Sequence, residues 1–388
     1  MKTTFLFARA ALLALLLSTQ DHQLSTACAQ GALTPPNPPA PTMKTLDQIE
    51  ARTPISSVPY TISVPGSYYL TTNVTATVSN AIVIAISGVT LDLNGFTISS
   101  TTASATGHGI LLNSGLCNIT ILNGFIQSGV TNNGSGVFNG PGFRSGIYCP
   151  GTPPLSTRIS GISVLGCRVD GILLSTSVGG STTVDSCTVQ TVGGVGIAAS
   201  TITRSVAADC GAYGIFGDQV SDCRGESVGV SGGSGIYANT VQNCRGISNS
   251  GEGIRAYTAQ NCYGTSSSGT GIYAVTSAAN CYGSGGGTGQ GIYTETANNC
   301  HGQSVTSQGI SAETANNCYG YSSLNRGISA NIVIGCTGRS NGGSFGVFAT
   351  SIANTSYGSS ATGTGLSANI AIGCTGTTIS YNYKYNMP

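Results

Sequence analysis

Residues 253–264 read Gly-Ile-Arg-Ala-Tyr-Thr-Ala-Gln-Asn-Cys-Tyr-Gly, and residues 291–302 read Gly-Ile-Tyr-Thr-Glu-Thr-Ala-Asn-Asn-Cys-His-Gly. The same pattern recurs at steps of 18 to 20 residues, with its Gly–aliphatic starts at Gly235, Gly253, Gly271, Gly291, Gly309, Gly327, Gly346 and Gly365. A period this short, rich in Gly and Asn and without helical spacing, is typical of a β-solenoid, in which each repeat forms one coil.

Alternation within a repeat predicts which side chains are buried. Ile254, Ala256 and Cys262 should point inward, whereas Arg255 and Tyr263 should point outward. The cysteines should therefore form one inward column of small apolar side chains, spaced about 4.8 Å apart. That spacing also allows disulfides by Cα distance. In one repeat the expected cysteine is replaced by Thr355.

Asparagine comes directly before the cysteine in five repeats, at Asn243, Asn261, Asn280, Asn299 and Asn317. Because asparagine tolerates the left-handed backbone conformation, we expect a sharp bend at this position. Stacked amides should also hydrogen-bond along the solenoid axis.

The variation in coil length and the absence of a strict hexapeptide repeat favour the right-handed form of solenoid. Ile254, for example, is followed six and twelve residues later by Gln260 and Ser266 rather than by aliphatic residues. We therefore predict an all-β fold, a single-stranded right-handed parallel β-helix, over residues 67–376. An N-terminal cap (45–66), with a short helix over residues 45–52, and a short C-terminal cap (377–388) should cover its ends.

The first residues have the pattern of an export signal. Lys2 and Arg9 flank a short basic region, residues 10–17 are apolar, and Ala27-Cys28-Ala29 provides a small-residue cleavage site. We predict a cleaved signal peptide (1–29), a Pro-rich linker (30–44), and secretion or cell-surface location; lipidation at Cys28 is the alternative. The apolar run is too short to span a bilayer, and no other transmembrane segment is expected.

Composition argues against several classes of function. Charged residues make up 7% of the chain, against roughly 25% in ordinary soluble proteins, and the net charge is +1. Binding to nucleic acid is therefore not expected. With three histidines and no Cys-x-x-Cys pair, the sequence predicts no metal site and no cofactor. We expect a monomer.

The entry segment Pro65-Gly-Ser-Tyr-Tyr-Leu-Thr71, the stretch Val89-Thr-Leu-Asp-Leu-Asn-Gly-Phe-Thr-Ile98 and the Gly-Ile coils resemble secreted bacterial right-handed β-helix repeat proteins. These belong to the pectin-lyase-like fold group, and the resemblance covers roughly residues 55–376. It implies the fold, but the group includes lyases, hydrolases, tailspikes and proteins of unknown activity, so it does not imply one function.

Enzymes of that group act mostly on acidic polysaccharides, and this chain has few of the residues that they use. Lyases need a base and often Ca²⁺, and hydrolases need paired carboxylates. The catalytic candidates are Asp218 and Asp222, which lie near Asp209, Arg224 and Glu226 in sequence, and Glu295 with Glu313 on successive coils. Ca²⁺ is expected only if the protein is a lyase.

The segment Gly107-His108-Gly109 matches a short polygalacturonase motif, but we interpret it as the start of a coil. The same Gly-x-Gly-Ile frame recurs at residues 251–254, 269–272 and 289–292, and the aspartate pair and the Arg-Ile-Lys of that enzyme family are absent. The tryptophan-containing and Arg-x-Pro-x-x-Arg motifs of pectate lyases are absent too.

Aromatic and arginine residues provide the strongest surface pattern. One column should follow the cysteines (Arg245, Tyr263, Tyr282, His301, Tyr319) and another the Gly-Ile pairs (Tyr237, Arg255, Tyr273, Tyr293). Flat rings at strand spacing can stack on sugars, although adjacent rings on a sheet also stabilise each other without a ligand. The sequence favours a non-enzymatic structural or adhesive protein, whose partner, if the columns bind one, is a polysaccharide or cell-surface glycan; a purely structural role needs no ligand. A polysaccharide lyase or glycoside hydrolase is the alternative.

Overall fold

The computed structural model describes residues 51–175, 180–342 and 345–386. The predicted signal peptide and linker, the possible lipidation site at Cys28 and residues 45–50 of the predicted helix (45–52) lie outside this part of the chain. At the end of that range the helix prediction is wrong, because Arg52 begins a strand. All regular elements in the described residues are β-strands. None of these residues forms a helix able to cross a membrane.

The strands of the first half are β1 (Arg52–Ile55), β2 (Tyr60–Ile62), β3 (Gly66–Leu70), β4 (Val74–Ala76), β5 (Ile82–Ile84), β6 (Val89–Asp92), β7 (Thr97–Ser100), β8 (His108–Leu112), β9 (Cys117–Gln127), β10 (Thr131–Asn132), β11 (Phe138–Asn139), β12 (Ser145–Tyr148), β13 (Leu155–Cys167), β14 (Ile172–Leu173), β15 (Thr182–Asp185), β16 (Thr188–Val192), β17 (Ile197–Thr203), β18 (Val206–Cys210) and β19 (Ile215–Ser221). Those of the second half are β20 (Arg224–Ser227), β21 (Ile236–Gln242), β22 (Arg245–Ser248), β23 (Ile254–Gln260), β24 (Tyr263–Ser266), β25 (Ile272–Ala279), β26 (Tyr282–Gly285), β27 (Ile292–Asn298), β28 (His301–Ser304), β29 (Ile310–Asn316), β30 (Tyr319–Ser322), β31 (Ile328–Ile334), β32 (Thr337–Ser340), β33 (Phe345–Asn354), β34 (Tyr357–Ser360), β35 (Thr364–Ile372), β36 (Thr375–Gly376) and β37 (Ile379–Tyr385).

These strands form a parallel β-solenoid of about 17 turns. From β17 onward each coil has one long and one short strand, and each strand pairs in parallel with its equivalent in the next coil, as β23 with β25 and β24 with β26. Upstream the coils have three strands. There β14 and β15 both pair with the seven-residue β17, so that two ladders merge into one. The antiparallel pair β10–β11 stands apart from this stack.

The interior consists of columns of similar residues, as the alternation predicts. The aliphatic residue of the Gly-Ile pair is fully buried in every coil from Ile172 to Leu366, and Ala256 and Cys262 are buried beside it. Arg255 and Tyr263 are exposed. All thirteen cysteines in the described residues are free thiols. The coil is narrow: a Cβ at Gly264 would overlap the carbonyl oxygen of Gly271 in the next coil.

Two coils contain an extra residue in the long strand, which displaces the cysteine in sequence but not in space. The register shifts between Ala274 and Ser277 in β25, and Cys281 accordingly follows its isoleucine at nine positions. A similar shift in β33 corrects one sequence prediction. Ser356, not Thr355, occupies the cysteine position and accepts a hydrogen bond from the backbone N–H of Cys336 (3.2 Å).

Both ends of the described solenoid continue its strand pairing. Arg52 begins β1, which pairs in parallel with β3, so the stack starts inside the range predicted as a cap (45–66). The range 377–388 contains β37, which pairs in parallel with β35 and leaves most of its side chains exposed. It thus adds one more strand to the stack.

A row of buried serines closes the loop between the short strand and the next coil. Ser266 donates from its hydroxyl to the carbonyl of Gly251 (2.6 Å) and accepts from the N–H of Gly269 (2.7 Å). Ser248 and Ser304 bond in the same way. The hydroxyls satisfy backbone groups that a short Gly/Ser loop would otherwise bury without partners.

Candidate functional site

An open groove of about 920 Å³ runs along consecutive coils of the solenoid. One side is the row at the bend, which we call the amide ladder: Asn243, Asn261, Asn280 and Asn299, headed by Asp222. The other side is the groove column, which consists of Arg224, Arg245, Tyr263, Tyr282 and His301 and is continued by Tyr319. Cys223, Cys244, Cys262 and Cys281 lie between the two rows.

The amide ladder has the backbone conformation and the hydrogen bonds that the sequence predicts. Asn243, Asn261 and Asn280 have φ of 53° to 54°, in the left-handed region. Each side-chain amide nitrogen donates to the side-chain oxygen of the preceding coil, from Asn280 to Asn261 and from Asn261 to Asn243, both at 3.1 Å. The ladder ends on Asp222, whose carboxylate accepts from Asn243 (3.1 Å).

The groove column is aligned by the register of the short strands, which pair Arg245 with Tyr263, Tyr263 with Tyr282 and Tyr282 with His301. The rings of Tyr263 and Tyr282 stack with centroids 4.8 Å apart and planes 5° apart. The guanidinium of Arg245 lies 5.2 Å from the Tyr263 ring centroid. Both faces of Tyr263 are therefore occupied by neighbours, and its edge and hydroxyl are what it presents to the groove.

This geometry changes how the column could contact a sugar. Flat-face stacking on a sugar, the mode considered from the sequence, competes with the ring–ring contacts of Tyr263 and Tyr282. Hydrogen bonds from the phenol edges and from the amide ladder to a sugar would not compete with these ring–ring contacts. Arg245 has no carboxylate within ion-pair distance among the described residues, whereas Arg224 pairs with Glu226 at 3.0 Å.

The second column, Tyr237, Arg255, Tyr273 and Tyr293, is also aligned as predicted. Arg255 lies between Tyr237 and Tyr273, 5.6 Å and 5.2 Å from their ring centroids, and pairs with Glu252 at 3.4 Å. Tyr273 stacks on Tyr293 at 5.1 Å. The column therefore resembles the first one in its stacking and differs in lacking an amide row beside it.

The acidic candidates divide into two groups. Asp218 accepts a hydrogen bond from Asn239 (2.8 Å), Asp222 ends the amide ladder, and Asp209 accepts from Asn132 (2.6 Å). Each therefore has a structural partner of its own. Within the part of the chain that the structure describes, no three His, Cys, Asp or Glu side chains are placed to hold a metal ion together.

Glu295 and Glu313 are brought side by side, because β27 and β29 pair Thr294 with Ala312. They line a pocket of about 320 Å³ together with Tyr273 and Tyr293. Asp218 occupies the same column, with three coils between it and Glu295. The two glutamates are the paired carboxylates that the sequence pointed to.

His108 lies at a coil start, as the Gly-x-Gly-Ile frame indicates. It pairs in register with Ser145, and Asp170 occupies the same position in the next coil. Its ring stacks on Tyr148 (centroids 4.6 Å apart), and its Nδ1 is buried without a hydrogen-bond partner. Burial, and to a lesser extent the charge of Arg144, lowers the pKa of His108 to about 4. Burial raises the pKa of Asp170.

The sequence analysis did not predict that His108, Ser145 and Asp170 lie in one column. Their equivalent positions, two residues before the aliphatic residue of each coil, could have predicted it. Ser145 is fully buried and therefore not accessible to a substrate as a nucleophile. We therefore assign the column of His108, Ser145 and Asp170 a structural role.

The fold and the groove define the class of this chain: it is a parallel β-helix repeat protein. No family model matches its sequence, and no curated protein matches it. Among solved structures, the A-module of the mannuronan C-5 epimerase AlgE4 of Azotobacter vinelandii is similar at 11% identity, covering 84% of this chain and 89% of that one, with a TM-score of 0.38. A likeness at this level says nothing about activity.

Proposed function

We propose that this protein is a non-enzymatic β-helix protein, secreted or held at the cell surface, that binds an extended polysaccharide along the groove between the amide ladder and the groove column. The observation that carries the proposal is the groove itself, which repeats the same polar lining from Asp222 to Asn299. Those four coil intervals span about 19 Å at the usual strand spacing. A repeating ligand fits a repeating site.

The amide ladder has hydrogen-bonding capacity left for a ligand. A side-chain amide nitrogen carries two N–H donors, and the ladder uses one of them at each of Asn261 and Asn280. On the opposite side the hydroxyl of Tyr263 can donate and accept, and that of Tyr282, which donates to Gln303 Oε1 (3.2 Å), can accept. Sugar hydroxyls need such mixed donors and acceptors, and Arg245 supplies a cation for the carboxylate of an acidic sugar.

The test separates hydroxyl contacts from stacking. Tyr263→Phe with Tyr282→Phe keeps both rings in the groove column and removes their hydroxyls. Tyr273→Phe with Tyr293→Phe makes the same change in the second column. We expect the first pair to lose retention on immobilised acidic polysaccharide at least about threefold, with unchanged thermal unfolding, and the control pair to bind like the native protein. Equal behaviour of the two variants would exclude the groove as the binding site.

A polysaccharide lyase or glycoside hydrolase is the second candidate, and the placement of Glu295 beside Glu313 in a pocket favours it. Retaining hydrolases use two carboxyl groups roughly 5 Å apart. Mass spectrometry of pectic, alginate and neutral polysaccharides incubated with the protein, with and without Ca²⁺, should then show defined oligosaccharides. Glu313→Gln should abolish them, whereas Glu252→Gln, on the ion pair with Arg255, should not. Release of product by both variants alike would exclude the glutamate pair.

A further inference from the structure

Seven thiols occupy one position of seven consecutive coils. The pairing of the short strands places them in a single inward column, which we call the thiol ladder: Cys223, Cys244, Cys262, Cys281, Cys300, Cys318 and Cys336. All are buried and none is in a disulfide. A column of small apolar side chains needs no sulfur, since alanine fills the neighbouring columns of the same coils.

Sulfurs of the thiol ladder contact the backbone of the neighbouring coil. The backbone N–H of Cys223 donates to the sulfur of Cys244 (3.4 Å), and that of Cys318 donates to the sulfur of Cys336 (3.3 Å). Each of these sulfurs therefore reaches back toward the preceding coil. The thiol of Cys281 donates to the carbonyl of Ala259 in the preceding coil (3.5 Å) and to that of Ala279 (3.1 Å).

We propose that the thiol ladder is a binding site for soft monovalent d¹⁰ cations, Cu(I) or Ag(I), each held linearly between the sulfurs of two adjacent coils. Thiolate is the ligand that such ions prefer. Taking the zinc–sulfur bond length of about 2.3 Å as a guide, two collinear metal–sulfur bonds span about 4.6 Å, close to the spacing of about 4.8 Å between paired strands. A tetrahedral ion is not accommodated, because one column offers two sulfurs per interval.

The binding step conserves charge inside the core. Each cation binds one thiolate, formed as that thiol loses its proton to solvent, and one neutral thiol of the adjacent coil, so each occupied interval stays neutral. A sulfur bonded to Cβ does not bind a second ion on its opposite side, so no two occupied intervals share a sulfur. Neutrality matters because a net charge in this apolar interior would be strongly disfavoured. Cys223, Cys244, Cys262 and Cys281 lie along the groove, which gives the ions a route from solvent.

Adjacency of the thiols, rather than their number, is what the test must isolate. The alternate variant carries Cys244→Ser, Cys281→Ser and Cys318→Ser, and its four remaining ladder thiols are two coils apart. The contiguous variant carries Cys223→Ser, Cys244→Ser and Cys262→Ser, and its four remaining thiols are neighbours that form two adjacent pairs. Serine suits the position, since Ser205 and Ser356 already occupy it in other coils.

Reduced, oxygen-free protein is titrated with silver nitrate in chloride-free buffer and then challenged with a monothiol, and the bound ions are counted by native mass spectrometry. We expect the contiguous variant to retain two more Ag(I) ions than the alternate variant, with one proton released per ion. Equal retention by the two variants, or no retention by the native protein, would overturn the proposal.

Single substitutions keep the test decisive if a triple variant fails to fold. Cys281→Ser interrupts the ladder at its centre and leaves two runs of three thiols, which hold one pair each. Cys223→Ser leaves one run of six thiols, which holds three pairs. The central variant should therefore retain one Ag(I) fewer than the terminal variant, and equal losses would contradict bridging. The proposal is independent of polysaccharide binding, because these substitutions leave the groove column intact.

Discussion

Asn261 shows how one residue type serves two purposes at the bend of each coil. Its φ of 54° lies in a region that costs most residues about 1–2 kcal/mol, and its amide links two neighbouring asparagines. The chain also accepts glycine at this position, as Gly335 and Gly373 show with φ of 61° and 57°. The bend therefore requires the left-handed conformation more strictly than it requires a side-chain amide. The amide of Asn261 in addition lines the groove.

A pair of substitutions at Asn261 separates these purposes. Asn261→Ala and Asn261→Gly both remove the amide, but only alanine is strained at this φ. We expect the free energy of unfolding of the glycine variant to exceed that of the alanine variant by about 1 kcal/mol, as measured by urea denaturation. If alanine were as stable as glycine here, the bend would not depend on the left-handed conformation.

His108 gives the fold a pH dependence of known sign. Its pKa is about 4 in the folded chain, against 6.5 for an unperturbed histidine. Between these two pH values the unfolded state binds a proton at this residue and the folded state does not. Stability should thus be highest above pH 6.5 and decrease as the pH falls toward 4. His108→Gln should flatten this decrease in urea denaturation curves.

His301 provides the control for this effect, since burial lowers its pKa as well but it lies in the groove column. His301→Gln should flatten the curve less than His108→Gln does. Parallel curves for the native protein and His108→Gln would show that His108 is not held neutral by the fold.

At the scale of the element, the short strand is held at its end by a buried hydroxyl. Ser266 in β24 satisfies two backbone groups of the loop, while the neighbouring Ser267 is exposed. Ser266→Ala leaves a buried N–H and a buried carbonyl without that partner, which costs about 1–3 kcal/mol of unfolding free energy. Ser267→Ala should change it by less than about 0.5 kcal/mol. Similar losses in the two variants, measured by thermal unfolding, would contradict this role.

How much of the molecule the sequence predicts depends on whether the determining contacts repeat. Ile254, Cys262 and Asn261 each recur with the period. The inward positions of Ile254 and Cys262 follow from alternation, and the position of Asn261 at the bend follows from its backbone preference. The groove depends instead on which outward rows lie beside the bend, and the occupied faces of Tyr263 depend on side-chain rotamers. Neither the position of the groove nor the stacking of Tyr263 can be predicted from the spacing of the repeats. The shift that puts Ser356 in place of Thr355 arises from one extra residue in β33, which only the pairing reveals.

At the scale of the whole molecule, a solenoid is stabilised by contacts between neighbouring coils, so no coil depends on a distant one. The uniform columns make successive coils nearly interchangeable: Ile310 and Ile328 are equivalent residues 18 positions apart, as are Tyr319 and Thr337. Any one of these coils should then be removable if the cut respects the repeat frame.

Deletion of residues 309–326 tests this property; it removes Tyr319 at the end of the groove column but no residue that lines the groove itself. It joins Gln308 to Gly327, which restores a Gly-Ile start and lets β27 pair with β31 and β28 with β32. We expect a folded chain whose thermal midpoint falls by no more than a few degrees, since one coil interface of many is lost. Polysaccharide retention should stay at the native level, because the residues lining the groove remain.

The matched control deletes residues 314–322, which removes the bend, Cys318 and β30 but keeps the preceding Gly-Ile pair. The remaining half-coil cannot align its isoleucine, cysteine and glycine columns with those of its neighbours, because each column requires a complete turn. Circular dichroism and size-exclusion chromatography should show an unfolded or aggregated C-terminal part for this variant alone. If both deletions unfolded the chain, its coils would not be independent units, and stability would have to come from contacts that reach beyond neighbouring coils.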